Sequence, residues 1–433
     1  MNVRTLTAVA LIALLGACAS APKVTRPTVV RPAQPEGPTF TLRPVSFAAL
    51  PDWAGTDTRP ALEAFRRSCS AQARRADDAA LGRTAPYGGT VGDWRAPCAA
   101  AAGATDARAF FEQNFTPNEV VARADQTRRL TGYYEPVVQA RRTPQPGLDE
   151  PFLARPADVV GVDLSQFDDA ADISEAIAED VMKALAPILP DETEARASAA
   201  LDDRLERRFR TPIWGRLTAD RKVVPLPARA GIDRSVGVLG YGRACDVYDV
   251  QVQGSARVLF EDGTQARMAY AAQNGWQWKS IYPQVVALGA PSPTKDGVCA
   301  YMATQPPEGV RAAMNLDPSY VYFSLEPLGD PLAGPRGAQG VPLTALGSIA
   351  VDPAAHPYGA VLFVNAESGF HRLLVAQDTG GAIRRGPLRG DVFFGTGDEA
   401  GAQAGQQNSP ARFWTLLPNS VQRIALNWTA DPR

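Results

Sequence analysis

Short hydrophobic runs separated by turn residues fill the C-terminal third of the chain. Between Val341 and Trp414 four such runs read ALGSIAVD, AVLFVNA, HRLLVAQD and GDVFFGTG, with Gly or Pro in the turns between them. Runs of this length and pattern are typical of β-strands. Because several short strands follow one another, the pattern predicts a compact β-barrel in this region.

The middle of the chain carries further strand-like segments. The stretch LTGYYEPVV over residues 130–138 is β-prone and ends at a turn-rich segment. Val and Gln alternate at the start of residues 249–259, which predicts a strand with one polar and one apolar face. The turn over residues 261–264 then predicts a hairpin whose return strand covers residues 265–271.

Helical periodicity occurs before and between these strands. Residues 58–75 and 105–114 have the spacing of amphipathic helices. Residues 163–208 are acidic and also carry apolar residues at helical spacing, which favours a solvated helical insertion. Together the patterns predict a mainly β fold with some helices on the N-terminal side.

The N-terminus has the form of a targeting segment. An apolar run over residues 6–15 follows Arg4 and is too short to span a bilayer as a helix. It ends in LGAC, the pattern of a bacterial lipobox, so we interpret residues 1–17 as a lipoprotein signal peptide and Cys18 as the lipidated residue. An ordinary signal peptide is the alternative. Residues 18–45 follow as a Pro-rich tether.

The charge balance argues against a nucleic-acid partner. The 433 residues include 44 Lys and Arg against 46 Asp and Glu, which leaves a formal net charge of −2. Such a chain has no global field that would gather nucleic acid or hold an anionic surface. A polymeric substrate is therefore expected to be recognised locally.

Four cysteines remain if Cys18 carries lipid: Cys69, Cys98, Cys245 and Cys299. Three pairings are open, and buried free thiols are an alternative. Pairing Cys69 with Cys98, and Cys245 with Cys299, would close local loops. No CxxC pair supports a zinc site.

The candidate chemistry rests on carboxylates. The chain has only two histidines, His356 and His371, so a His-based triad or a multi-histidine metal site is not expected, and no cofactor is predicted. Three aspartates, Asp352, Asp378 and Asp391, each lie where a predicted strand meets a Gly- or Pro-containing turn. Any one of them is also a candidate turn former. The apolar residues after Asp391 predict a carboxyl whose pKa is raised by desolvation.

Several long motifs resemble one family. In chain order they are LTGYYEP, VQVQGSARV, YAAQNGWQWKSI, MNLDPSYVYF, PLTALGSIAVDP, AQDTGGAI and RGDVFFGTGDEAG. From about Leu130 to Leu417 the sequence is similar to the membrane-bound lytic murein transglycosylase A group, which has a three-aspartate domain. It departs from the expected pattern at Gly-Ser-Ala over residues 254–256, at LPARAGI, and in the acidic insertion.

The resemblance implies a fold with two domains and a glycan-binding groove between them. A double-psi β-barrel domain would comprise residues 46–133 and 285–430, with the three-aspartate region at 341–417. A second β domain, residues 134–284, would be inserted in it and would contain the acidic insertion 163–208.

The resemblance also implies an activity. It predicts a lyase that cleaves the MurNAc–GlcNAc β-1,4 bond of peptidoglycan and leaves 1,6-anhydro-MurNAc ends. The family's catalytic aspartate maps onto Asp391, and Asp378 maps onto a second acidic position beside it. A glycan hydrolase that uses both aspartates and a non-catalytic wall-binding lipoprotein are the alternatives.

Candidate sugar contacts are side chains that offer rings or hydrogen-bonding groups: Tyr133, Tyr134, Glu135, Gln253, Ser255, Asn274, Lys279 and Asp352. Core packing is the alternative for the tyrosines. The expected partners are peptidoglycan glycan strands and the outer membrane, with wall-synthesis or division complexes as further candidates. Ala19, which stands where enteric inner-membrane lipoproteins have Asp, favours an outer-membrane lipoprotein that faces the periplasm.

Overall fold

The computed structural model describes residues 40–82, 85–124, 126–162, 213–220, 222–330, 333–383 and 386–421. The predicted signal peptide with Cys18, most of the tether and the acidic insertion lie outside these residues. In the described part, no helix has the length and apolar content needed to cross a bilayer.

The regular structure is mostly β, as predicted. The strands are β1 (Phe40–Pro44), β2 (Phe115–Ala122), β3 (Arg129–Glu135), β4 (Val137–Ala140), β5 (Glu150–Leu153), β6 (Val159–Val162), β7 (Ile213–Leu217), β8 (Val223–Val224), β9 (Val238–Gly242), β10 (Ala256–Phe260), β11 (Gln265–Gln273), β12 (Val321–Pro327), β13 (Ser348–Val351), β14 (Val361–Ala366), β15 (His371–Asp378), β16 (Arg389–Thr396), β17 (Asn408–Ser409) and β18 (Ala411–Pro418). The α-helices are α1 (Arg59–Gln72), α2 (Val91–Gly103), α3 (Ala107–Asn114), α4 (Ala244–Gln253), α5 (Tyr282–Ala287), α6 (Lys295–Ala303), α7 (Pro307–Asn315) and α8 (Asp398–Gln406).

Nine strands form the first sheet, in the order β1-β2-β18-β14-β15-β13-β16-β3-β17. The four runs predicted as strands in the C-terminal third are β13 to β16, so that prediction is confirmed. No strand pairing among the described residues joins the first and last members of the sheet. A closed double-psi β-barrel therefore stays a prediction.

Buried side chains cover both faces of the first sheet. Along β14, Leu362 and Val364 join one apolar cluster, while Val361 and Phe363 join another that includes Phe65 of α1. A strand that is covered on both faces has a continuous run of apolar residues in its sequence, rather than alternating apolar and polar residues. The helices α1 and α3 on the second of these faces confirm the two predicted N-terminal helices.

Four strands form a second sheet, in the order β12-β11-β10-β4. The antiparallel pair β10 and β11 confirms the predicted hairpin, whose turn contains Gly263 at φ 82°. The chain leaves the first sheet after Glu135 and returns to it at Ser348, the start of β13. The last strand before this return, β12, still pairs with β11 of the second sheet. Strand β12, which the predicted division places with the first domain, is thus hydrogen-bonded in the second sheet. The division into two domains stays a prediction.

Residues 249–253 are helical, so the prediction of a strand from residue 249 is wrong at its start. They complete α4, which ends where Gly254 adopts φ 85° and its N–H binds the Val250 carbonyl. Helix α4 lies between two cores, since Val247 and Val250 belong to one apolar cluster and Tyr248 to another. Such a helix has no single polar face. Five residues of Val/Gln alternation are too few to distinguish the period of a helix from the period of a strand.

Two disulfides hold helices together. Cys69–Cys98 joins α1 to α2, and Cys245–Cys299 joins α4 to α6. These are the local pairings, one of the three arrangements left open by the sequence.

Candidate active site

The first sheet brings two of the three C-terminal aspartates onto one row. Ala350 of β13 pairs with Asp378 of β15 on one side and with Asp391 of β16 on the other. Directly paired residues present their side chains on the same face of a sheet. Because neighbouring strands lie about 4.8 Å apart, the two aspartate Cα atoms are separated by about 10 Å.

Strand β3 supplies one hydroxyl to each of these aspartates. Thr131 pairs directly with Asp391, and its Oγ1 donates a hydrogen bond to Asp391 Oδ1 at 2.6 Å. Tyr133, two residues further along the same face, donates from its hydroxyl to Asp378 Oδ2 at 2.8 Å. The period of two in a strand therefore places both donors above the aspartate row.

Burial has the largest effect on the pKa of Asp391. Desolvation raises its pKa to about 6, and the negative charge of Asp378 acts in the same direction. The charge of Arg389 and the hydrogen bond from Thr131 oppose this rise. The next residues in the strand, Val392 and Phe393, are buried, as the apolar sequence suggested. A carboxyl with this pKa can hold and release a proton near neutral pH.

Asp378 has more hydrogen-bond donors than Asp391. Tyr133 binds its Oδ2, and the Ala338 N–H binds its Oδ1 at 2.9 Å. Desolvation raises the pKa of Asp378, while these two donors and the Thr379 N–H lower it. Burial and the Asp378 charge raise the pKa of Tyr133 well above its ordinary value, so the phenol stays protonated and remains a donor.

Asp352 is a turn residue, the alternative noted for it from the sequence. Its side chain is only 3% exposed. Oδ1 accepts from the Ala354 N–H, and Oδ2 accepts from the Gly386 N–H three residues before β16. His356 completes this support, because its Nε2 lies 2.7 Å from the Pro387 carbonyl oxygen. Asp352 is therefore a buried side chain that fixes the approach to β16.

Glu135 joins the two sheets instead of lining a groove. It is fully buried, and its carboxylate forms ion pairs with Arg257 Nε at 2.9 Å and Arg267 Nε at 2.6 Å. Thr396 of β16 donates to the same carboxylate. The pairs connect β3 and β16 of the first sheet with β10 and β11 of the second.

Tyr134 is also a contact between elements. Its hydroxyl donates to Asp249 Oδ2 at 2.8 Å and accepts from Lys295 Nζ at 3.0 Å. Its backbone N–H binds Gln253 Oε1, which places the end of α4 beside β3. Core packing, the alternative weighed from the sequence, describes Tyr134.

The remaining predicted contacts differ in accessibility. Ser255 is buried, and Asn274 is only 1% exposed. Asn274 donates to the Pro227 and Pro318 carbonyls and accepts from the Tyr320 N–H, which gives it a structural role in the described fold. Lys279 has an exposed side chain. Among the hydrogen bonds of the described residues, Tyr133 is the only proposed sugar-binding residue that binds an aspartate of the row.

Sequence reasoning missed three groups at the site. Thr131 and Arg389 act directly on Asp391, and the Ala338 N–H binds Asp378. The signal for Thr131 was present in LTGYYEP, because it lies two residues before Tyr133 in a predicted strand. Nothing in the sequence pattern pointed to a backbone donor at Ala338.

The described residues contain one cluster with the composition of a metal site, formed by Cys245, Asp246 and Cys299. The two cysteines are joined in a disulfide. Their sulfurs are therefore not available as thiolate ligands.

Two family models match successive parts of the chain. The model described as the MltA specific insert domain matches residues 129–324, and the 3D domain model matches residues 347–417. The first match covers β3 and the second sheet except the last three residues of β12, and the second match contains both aspartates of the row. The fold and site thus define a class of proteins in which an inserted domain accompanies a three-aspartate domain.

Curated relatives carry one name. The membrane-bound lytic murein transglycosylase A of Vibrio cholerae is 32% identical over 244 residues, which is 52% of this chain and 64% of the relative. The protein of that name in Escherichia coli K12 is 30% identical over 225 residues, 48% of this chain and 60% of the relative. The alignments thus span less than two thirds of each relative.

Solved structures agree with this family. The membrane-bound lytic murein transglycosylase of Agrobacterium tumefaciens is 28% identical with a TM-score of 0.66, over 90% of this chain and 100% of that one. MltA of Neisseria gonorrhoeae is 27% identical with a TM-score of 0.64, over 88% of this chain and 94% of that one. The chain belongs to the membrane-bound lytic murein transglycosylase A family.

Proposed function

We propose that the protein is a peptidoglycan lytic transglycosylase that cleaves the MurNAc–GlcNAc β-1,4 bond and leaves 1,6-anhydro-MurNAc ends. The names of the relatives support the activity. The observation that carries it is the unequal hydrogen bonding of the two carboxyls: desolvation raises the pKa of both, but Asp391 accepts one hydroxyl, on Oδ1, whereas both oxygens of Asp378 accept hydrogen bonds. One available acid suits a reaction in which the substrate provides its own nucleophile.

The proposed reaction uses Asp391 twice. Its carboxyl gives a proton to the glycosidic oxygen as the bond from that oxygen to C1 of the muramyl sugar breaks. The C6 hydroxyl of the same sugar then attacks C1, and its proton returns to the Asp391 carboxylate. Because this hydroxyl is tethered to the reacting sugar, its effective concentration is high and no activated water is needed. Asp378 and Tyr133 hold the site in place.

A hydrolase would need a second carboxylate free to activate water. The contacts of Asp378 with Tyr133 and Ala338 argue against this role. Digestion of purified sacculi followed by mass spectrometry tests the proposal. Anhydro ends are expected. Reducing ends would show a hydrolase, and an absence of released fragments would show a non-catalytic wall-binding protein.

The finer parts of the proposal concern the fold and the cell envelope. The first sheet would belong to a double-psi β-barrel domain, with parallel pairs such as β13 with β15 inside a mainly antiparallel order. The chain would be an outer-membrane lipoprotein acylated at Cys18 and facing the periplasm, and the relatives named membrane-bound support a membrane attachment. Wall-synthesis or division complexes stay candidate partners.

Palmitate labelling tests the anchor. The Cys18→Ser variant should lose the label and yield a soluble or uncleaved form, because a hydroxyl cannot form the thioether to the lipid. Equal labelling of both forms would refute acylation at Cys18.

A further inference from the structure

We propose that Thr131 is a positioning residue for Asp391: its hydroxyl holds Oδ1 and thereby leaves the transferable proton on Oδ2. The inference deepens the proposed function and rests on it. Thr131 itself transfers no proton to the substrate.

The first observation is the hydrogen bond itself. Thr131 and Asp391 are direct partners in the parallel pair β3 and β16, and the Oγ1 to Oδ1 distance is 2.6 Å. A threonine hydroxyl has a single proton to donate. Since that proton is directed at Oδ1, a proton on the carboxyl itself is favoured on the other oxygen.

The second observation is that β3 is closely packed against its neighbours at this point. A Cβ on Gly132 would lie 2.5 Å from a ring atom of Phe394 and 2.8 Å from the Ala404 Cα. The absence of a side chain lets β3 pack directly against β16 and α8. Because Thr131 precedes Gly132, its hydroxyl is held by a close-packed backbone rather than by a loop.

The third observation is the division of donors between the two aspartates. Asp378 receives hydrogen bonds on both oxygens, from Tyr133 and from Ala338. Asp391 receives the Thr131 hydroxyl on Oδ1, and no hydrogen bond to Oδ2 is present among the described residues. The arrangement leaves one carboxyl oxygen of the pair to face the glycosidic oxygen.

Thr131→Val and Thr131→Ser test this role in the full chain with sacculi as substrate. Valine keeps the branched shape, so the strand is retained while the hydroxyl is lost. We expect kcat to fall by roughly 10- to 100-fold, the range of a hydrogen bond to a charged group, with KM little changed. Serine should restore most of the rate.

The pH profile separates positioning from a structural role. The Thr131 hydroxyl lowers the pKa of Asp391, so its loss should move the alkaline limb of kcat/KM above the parental limb near pH 6. Thr396→Val is the matched control, because it removes a hydroxyl of the same sheet that binds Glu135 instead. The alkaline limb of this control should stay at the parental pH.

Two results would overturn the inference. In one, Thr131→Val keeps the parental kcat and pH profile. In the other, Thr131→Ser folds as judged by its melting temperature and loses as much activity as Thr131→Val, which would show that the hydroxyl is not the active feature. A parental protein that releases no anhydro ends would instead contradict the proposed function itself.

Discussion

Two aspartates on one row of a sheet differ because their hydrogen-bond donors differ. Burial raises the pKa of both carboxyls, but Asp378 accepts hydrogen bonds at both oxygens, whereas Asp391 accepts one hydroxyl. Donors stabilise the ionised form and desolvation favours the neutral form. A pair whose environments differ in this way can divide the roles of acid and supporting anion.

The proposed catalytic role of Asp391 is tested by Asp391→Asn. The amide keeps the shape but can neither give nor take the catalytic proton, so release of anhydromuropeptides should fall by more than the roughly 10²–10⁴-fold range of one acid/base role. Glycan binding should survive, measured by sedimentation with sacculi. Asp378→Asn should reduce the release of anhydromuropeptides by a smaller factor. A folded Asp391→Asn protein with near-parental release would place the acid elsewhere.

The same variant should be more stable than the parent at pH 7. As pH rises above 3.8, the ordinary Asp value, the unfolded state ionises first, so stability falls until the native Asp391 ionises near pH 6. Asparagine does not ionise and removes this cost. We expect the melting temperature to rise by about 2–5 °C at pH 7, with little difference at pH 3. A melting temperature at pH 7 equal to or below that of the parent would contradict the desolvation of Asp391.

The pH dependence of the rate follows from the same group. In the proposed mechanism Asp391 must be protonated to act as the acid, so kcat/KM should fall about tenfold per pH unit above pH 6. The Asp378 charge raises the pKa of Asp391. Asp378→Asn should therefore move this limb to lower pH. A limb that stays in place, or moves upward, would show that the two carboxyls do not interact as the structure indicates.

At the scale of elements, β3 has two tasks. Its residues Thr131 and Tyr133 bind the aspartates of the row, while Tyr134 and Glu135 bind side chains that belong with the second sheet. The motif LTGYYEP thus combines site support with the connection between sheets. The strand whose side chains bind both aspartates is therefore also bonded to the second sheet.

Glu135→Gln tests the connection. It leaves Arg257 and Arg267 without their buried counter-charge, so the free energy of unfolding should fall by about 3–5 kcal/mol in urea denaturation. Glu63→Gln is the control, because Glu63 forms an exposed i,i+4 pair with Arg67 that should contribute only about 0.3–0.5 kcal/mol. Equal effects of the two variants would mean that the buried pairs do not support the fold.

At the scale of the whole molecule, the reaction is expected to need no metal. The metal-like cluster among the described residues includes the Cys245–Cys299 disulfide, and the proposed mechanism uses only proton transfer by Asp391. EDTA should leave the release of anhydromuropeptides unchanged. Loss of activity in EDTA that one added metal restores would remove the carboxylate mechanism.

The sequence by itself determined the local elements whose pattern had one interpretation. The strands β13 to β16, the hairpin of β10 and β11, and the helices α1 and α3 were predictable because turn residues bound them and their periods were clear. The motifs also indicated the family and directed attention to Asp378 and Asp391. Helix α4 was not predictable, since a segment buried between two cores lacks the polar face that marks a surface helix.

Tertiary structure alone decided what the candidate residues do. Glu135, Asn274 and Asp352 were reasonable sugar contacts by residue type, yet each is buried and bonded to protein groups. Thr131 and Asp391 lie 260 positions apart in the chain and meet only because β3 pairs with β16. Residue type states which bonds a side chain can form. Which of them it forms, and whether water or protein surrounds it, depends on neighbours that are distant in sequence.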